Sequence, residues 1–192
     1  EALFSGVSSA QSIRLANAID WRGKSVLMHA ASRDHADMVN LLVEQKARIE
    51  ATDYTGGMTA LMLAARNGSL TAVEALIVAG ANANAATPHG STALMNAVAN
   101  GTLTVIAHLL KNGADIRMVD REGNTALMVA CIYAPRSSFD LILQRKSSLA
   151  WTKLFAVFFA IKLVARVRRA RERVYMPGGR GARAAEASAA RN

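Results

Sequence analysis

Thr59-Ala60-Leu61-Met62 returns 33 residues later as Thr92-Ala93-Leu94-Met95, and after a further 33 as Thr125-Ala126-Leu127-Met128. A looser copy, Ser25-Val26-Leu27-Met28, stands 34 residues upstream of the first. A fixed period of this length marks stacked structural repeats. Each unit is too small to bury its own apolar face, so its neighbours must cover it. The hydroxyl that opens each copy is placed to accept a hydrogen bond from an N–H two or three residues on, an N-cap worth about 1 kcal/mol.

Before the tetrapeptide, each copy has a turn: Asp20-Trp21-Arg22-Gly23, Asp53-Tyr54-Thr55-Gly56, Thr87-Pro88-His89-Gly90 and Asp120-Arg121-Glu122-Gly123. Asp supplies a side-chain acceptor and Gly a low-cost positive φ. Repeat two carries one extra residue, read as Gly57 or Met58. After the tetrapeptide come small and apolar residues such as Ala64 and Ala65, which allow close helix approach. Asn67-Gly68 and Asn100-Gly101 then end the short helix. A second helix follows, with Leu41-Leu42, Leu76-Ile77 and Leu109-Leu110 expected to face the core. It stops at Gly80-Ala81 and Gly113-Ala114, with Lys46 and Lys146 in place of glycine in repeats one and four. Pro135 falls where the second helix of repeat four should begin, so that repeat is the weakest. Upstream, Ser8 to Ile19 reads as a helix with Ile13, Ala16 and Ile19 near one face and Leu15 beside them.

The pattern Asp-x-x-Gly-x-Thr-Ala-Leu-Met-x-Ala-Ala-x-x-Gly, a leucine-bearing helix, then Gly-Ala-x-x-Asn-Ala resembles the ankyrin repeat over about Asp20 to Arg145. Ankyrin repeats usually read Thr-Pro-Leu-His at the tetrapeptide. Here Ala60, Ala93 and Ala126 replace the proline, and Met62, Met95 and Met128 replace the histidine. The expectation is that the family's Thr–His hydrogen bond is lost and that a flexible thioether fills the space. The resemblance implies an all-α solenoid of about four helix-turn-helix repeats with connecting turns, extended by a C-terminal helix and a disordered basic tail. The expected divisions are 1–19 (capping helix or remnant of an upstream repeat), 20–146 (repeats), 147–176 (apolar and basic helix) and 177–192 (disordered).

The resemblance also implies partner binding through the turn tips and the short-helix face. Copy by copy, these positions are Trp21, Arg22, Lys24 and Arg33 in repeat one, then Tyr54, Thr55, Arg66 and Asn67 in repeat two. Repeat three gives His89 and Asn100; repeat four gives Arg121, Asn124 and Tyr133. Aromatic residues and Arg dominate interface hot spots. The cationic bias suggests an acidic or phosphorylated protein segment across repeats one and two. A solvated turn surface of variable composition is the plainer reading of the same residues.

Catalytic and metal chemistry find little support. His29 and His35 are not at ligand spacing, and His108 reads as packing or surface. Cys131 aligns with Ala65 and reads as a buried structural thiol. No Gly-rich phosphate loop with its lysine occurs. No catalytic residue, metal ligand or cofactor is expected. One cysteine excludes an internal disulfide and points to a reducing, cytoplasmic setting.

The net charge of +9 is unevenly divided. Residues 1–144 carry 11 Lys+Arg against 12 Asp+Glu, whereas 145–192 carry 12 Lys+Arg against Glu172 and Glu186 alone. Any polyanion or membrane attraction therefore belongs to the tail. Residues 149–167 are apolar nearly all round. They fit a helix packed on repeat four, a membrane segment with Arg166 to Arg173 on the cytoplasmic side (anionic-membrane contact through 149–173), or non-native sequence. Residues 177–192 are Gly/Ala/Arg-rich, but a single Gly-Gly-Arg-Gly gives no specific nucleic-acid partner. The leading expectation is a non-catalytic interaction scaffold. The alternatives are a membrane-tethered adaptor or the regulatory ankyrin segment of a larger enzyme such as a protein kinase, the latter favoured by an opening Glu1 rather than methionine.

Overall fold

The computed structural model describes residues 8–133. The expectations for Pro135, Lys146, the apolar and basic segment and the C-terminal tail lie outside that range. Within it are helices α1 (Ser9–Ala16), α2 (Val26–Ser32), α3 (Ala36–Glu44), α4 (Ala60–Asn67), α5 (Leu70–Val78), α6 (Ala93–Asn100), α7 (Leu103–Lys111) and α8 (Ala126–Tyr133). Two rows form. The short first helices α2, α4, α6 and α8 pack in sequence, and α3, α5 and α7 pack alongside them.

The tetrapeptide opens every first helix. Ser25, Thr59, Thr92 and Thr125 each accept from the N–H of the methionine three residues on, at 3.2–3.4 Å. Leu61, Met62 and their counterparts Leu27, Met28, Leu94 and Met95 are buried. Each fully buried side chain of this size contributes about 2 kcal/mol. The expected loss of polar contact at the methionine holds only in part. In repeat one the Met28 Sδ accepts from the Ser25 N–H at 3.4 Å and completes a reciprocal cap.

Two other expectations are corrected. In the second helices the core is built at i, i+3 spacing from Val39 and Leu42, Val73 and Leu76, and Ile106 and Leu109. Leu41 and Ile77 are half-buried, because those helices turn Leu42 and Leu76 rather than the pair toward the first-helix row, whereas Leu109 and Leu110 are both buried as expected. Helix α1 stops at Ala16 rather than Ile19; its inward residues are Ser12 and Ala16, while Ile13, Leu15 and, beyond the helix, Ile19 are exposed. Asn17 sets this orientation. Its Nδ2 donates to Lys46 O at 3.1 Å and its Oδ1 accepts from Arg48 N at 2.8 Å, fixing the helix end with its small residues inward.

That clasp recurs. Asn84 Nδ2 donates to Gly113 O at 3.0 Å, and its Oδ1 accepts from Asp115 N at 2.7 Å. Between them stands Glu50, whose Oε1 accepts from Asn82 N at 2.8 Å but whose side chain has no N–H to offer Gly80 O. The row ties each repeat's exit loop to the next.

The second helices end alike. Ala47, Ala81 and Ala114 each donate to a carbonyl five residues back, on Leu42, Leu76 and Leu109. This reversal requires a left-handed residue, and Lys46 supplies it at φ 63° where Gly80 and Gly113 do so without strain. Replacing one acidic link should show how much the row matters. Glu50→Asn restores the missing donor and should raise unfolding stability by about 1 kcal/mol, whereas Asn84→Ala should lower it by about 1–2 kcal/mol. Urea unfolding of both variants beside the parent checks the pair, and equal midpoints would remove the clasp from the account.

Candidate functional site

The turns are shaped by one side-chain acceptor each. Asp20 Oδ1 accepts from the N–H groups of Arg22 and Lys24 at 2.8 and 2.9 Å. Asp120 Oδ1 accepts from Glu122 and Asn124 at 2.9 and 2.8 Å. Thr87, one oxygen poorer, accepts from Ser91 alone at 3.1 Å. In repeat two Asp53 Oδ1 accepts from Gly56 and Met58 at 3.0 and 2.9 Å.

These bonds correct the placement of the extra residue. Gly57, at φ 68°, matches Gly23, and Met58 matches Lys24, because Asp53 N donates to Met58 O as Asp20 N does to Lys24 O. Gly56 then matches Arg22, and Thr55 is the insertion. Its Oγ1 donates to Asp53 Oδ2 at 2.9 Å, so the hydroxyl serves the turn from within. The antiparallel bridge that closes the other turns, such as Ile19 with Ser25 and Ala86 with Thr92, has no counterpart at Thr52 and Thr59 among the described residues.

Neighbouring tips are joined. Tyr54 N donates to Arg22 O and Arg121 N to His89 O, both at 2.9 Å. The Tyr54 ring lies on Gly23, where a Cβ would come within 2.6 Å of it. Pro88 has no N–H, so the bond from repeat three to repeat two cannot form; its ring rests on Gly57 instead.

The expected binding positions divide by what their side chains already do. Trp21 and Tyr54 are 82% and 73% exposed, and the Arg22 guanidinium lies 4.4 Å from the Trp21 ring centroid. Arg33, Arg66, His89 and Arg121 are exposed. By contrast Asn67 Nδ2 donates to Ser32 O at 2.9 Å, tying α4 to α2. Asn100 Nδ2 reaches Thr102 Oγ1, and Asn124 Nδ2 reaches Asp120 Oδ2. Lys24 is half-buried, with its charge acting on Asp53. Tyr133 closes α8, and its side chain lies outside the description. The structure thus brings Trp21, Arg22 and Tyr54 together at one end of the tip row, and gives the asparagines and Thr55 internal work.

Sequence reasoning missed two positioning residues. His29 Nε2 lies 3.0 Å from Asp20 Oδ2 and ties α2 to the first tip. Asp34, left-handed at φ 61° where Gly68 and Gly101 stand in later repeats, accepts through Oδ1 from Thr71 Oγ1 and Ala72 N, both at 2.9 Å. It therefore caps α5 from the neighbouring repeat. An Asp at a glycine position was the available signal. Cys131 proves half-buried rather than buried, and burial still pushes its thiol up. His108 is half-buried, with Nδ1 3.5 Å from Glu74 Oε1. Among the described residues no group of three His, Cys, Asp or Glu could hold a metal, and no helix is long and apolar enough to cross a membrane.

The chain matches the family model described as ankyrin repeats (3 copies) over residues 3–87 and 61–149. It belongs to the ankyrin-repeat family. Ankyrin repeats are in general protein–protein interaction modules, and a domain built of them is typically non-catalytic. Three of the four ankyrin turn tips here are centred on a carboxylate, and those of Asp20 and Asp53 carry a pH signature.

For Asp53, desolvation pushes the carboxyl up, but the N–H of Met58, the Thr55 hydroxyl, the N–H of Gly56 and the charge of Lys24 outweigh it, leaving it below its ordinary 3.8. Asp20 is likewise lowered: desolvation is offset by the N–H groups of Lys24 and Arg22 and by His29. A carboxyl with a lower pKa in the folded chain contributes fully above its unfolded pKa. That contribution fades as pH falls through the folded value. Thermal stability should therefore hold down to about pH 5 and fall below about pH 4. Asp53→Asn, which keeps the Oδ1 acceptor, should flatten part of that fall. Thermal melts from pH 6 to 3 test this, and identical pH profiles for the two proteins would contradict it.

Proposed function

We propose that this protein is a non-catalytic adaptor that binds an acidic or phosphorylated protein segment. Binding would run through the turn tips and short-helix face of repeats one and two. The observation that carries the reading is the exposed Trp21–Arg22–Tyr54 group. Two large rings and a stacked guanidinium stand in solvent on a tip whose turn is held by Asp20 and Asp53. Such residues contribute most when a partner covers them. Arg33 and Arg66, exposed at the ends of α2 and α4, extend the same charge along the first-helix row. Because the turn is pre-shaped by Asp20 and Asp53, little backbone ordering would be needed on binding.

The repeats of 20–146 would carry this role, with 1–19 as a capping helix or the remnant of an upstream repeat. A cytoplasmic setting fits the lone half-buried Cys131. Anionic-membrane contact through 149–173 would be a separate property of residues outside the described range.

Reversing charge on the row tests the reading. The doubly substituted Arg33→Glu, Arg66→Glu chain should capture the native protein partner at least about tenfold less well than the parent, equivalent to about 1.4 kcal/mol. Trp21→Ala should cost a similar amount, and both variants should melt near the parent, since none of these side chains is in the core. Undiminished capture by the double variant would remove the acidic-segment reading.

A further inference from the structure

The methionines of the tetrapeptide, Met28, Met62, Met95 and Met128, are buried. Met58 is placed differently. It follows the turn of repeat two and is half-buried, at a position that is polar in the other repeats: Lys24, Ser91 and Asn124. Asp53 holds its backbone from both sides. The Asp53 Oδ1 accepts from the Met58 N–H at 2.9 Å, and the Asp53 N–H donates to Met58 O at 3.1 Å. The side chain runs beside the turn, where a Cβ on Gly56 would come within 3.7 Å of Met58 Cγ. Repeats one and three flank it, since α4 packs on both α2 and α6, so this exposure belongs to the assembled stack.

The sulfur faces a cation. Arg66 Nη1 lies 3.9 Å from Met58 Sδ, a weak contact that links the last turn of α4 to the tip. Arg66 is exposed and pairs with no carboxylate among the described residues. Met38 and Met118 are also half-buried, but neither sulfur has a polar partner among the described residues. A thioether accepts hydrogen bonds weakly, so Arg66 stays open to an acidic group. A sulfoxide is polar, and its oxygen on the Arg66 side would fall within hydrogen-bond reach of that nitrogen.

We propose that Met58 is a site of reversible oxidation by peroxide, and that its sulfoxide engages Arg66 and weakens binding of the acidic segment. The Sδ lone pair attacks one oxygen of hydrogen peroxide. The S–O bond forms as the O–O bond breaks, and the departing hydroxide takes the proton left on the transferred oxygen and leaves as water. Sulfur gives up an electron pair and the peroxide gains it. A thiol-dependent methionine sulfoxide reductase reverses the step, releasing the oxygen as water while its thiols become a disulfide. The oxidised side chain competes with the partner for the same guanidinium. The inference rests on the acidic-segment reading and supplies a regulation of that site.

The test uses the full ¹⁵N-labelled chain, dilute hydrogen peroxide and a hexaglutamate peptide as the acidic probe. Peptide mapping should find sulfoxide at Met58 while Met28, Met62, Met95 and Met128 stay reduced. Binding is read at the Arg66 guanidinium resonances, so that capture by the basic tail does not count. The oxidised chain should bind at least about fivefold more weakly than the reduced chain, and reductase with a thiol should restore the affinity. In Met58→Leu, peroxide should leave the affinity where it was. Met58→Gln, which carries an amide oxygen toward Arg66, should bind as weakly as the oxidised parent without any peroxide. Thermal melts of the oxidised and reduced parent should coincide.

Met58 remaining reduced, equal binding by the oxidised and reduced chains, or the same loss in oxidised Met58→Leu would overturn the proposal. A loss of binding that comes with a lowered melting temperature would make it unfolding and overturn it equally. If the peptide binds the reduced chain and ignores oxidation, the regulation alone is refuted and the acidic-segment reading stands. If the peptide fails to bind the reduced chain at Arg66, the acidic-segment reading falls. Oxidation then decides for the Met58–Arg66 pairing if it moves the Arg66 resonances, and against it if it does not.

Discussion

A single side-chain oxygen at the head of each turn holds the exposed part of this protein in shape. Asp20, Asp53 and Asp120 each collect two backbone N–H groups through one carboxylate oxygen. This fixes the tip without relying on a sheet, and so the first helix starts at a set angle with its hydroxyl cap in place. The helix rows then bury their leucines and methionines against the next copy. The cost of leaving those N–H groups unpaired would be largest at Asp53, the most buried of the three acids. Thr87 does the same job with one bond, and its repeat compensates through Asn96, whose Nδ2 donates to Thr92 O and Ser91 Oγ.

The repeats are therefore not equivalent along the tip row. Tips one and two are joined by a backbone bond, as are tips three and four. Between two and three, Pro88 removes the donor and Thr55 widens the turn. Elsewhere that junction is continuous, since α4 and α6 pack together and Leu61, Met62, Leu94 and Met95 are buried there. The break is confined to the solvent edge. Its effect is to divide the tips into an aromatic, cationic pair upstream and a pair bearing His89, Arg121 and Glu122 downstream. The functional reading assigns binding to the first pair.

Much of the fold was legible because it rests on periodicity. The tetrapeptide, the turn acid and the terminating glycines recur, and each carries a local mechanism that needs no tertiary knowledge. What failed to read was register within a repeat. Gly56 and Gly57 are interchangeable by composition, and only the Asp53–Met58 bond shows which one fills the glycine place. The inward member is the second of Leu41-Leu42 but the first of Leu76-Ile77, because adjacent apolar residues do not reveal which one a short helix turns inward. The face of α1 is hard to read for a related reason: Ile13 and Leu15 are its only large apolar residues and suggest the core side, yet the Asn17 clasp draws Ser12 and Ala16 inward. Of the site, the exposed rings and arginines were visible in the sequence. The internal duties of Asn67, Asn100, Asn124 and Thr55 were not, since they depend on partners about 30 residues away or on turn geometry.

The account makes the tips a pre-shaped surface rather than a set of pliant loops. Residue-resolved amide hydrogen exchange of the full chain under native conditions tests that most directly. The amides of Tyr54, Met58, Arg121 and Asn124 should be protected well beyond the rates of an unstructured chain, with the Trp21 amide exchanging freely beside them. Exchange of all five at unprotected rates would show the tips to be loose and would contradict the account.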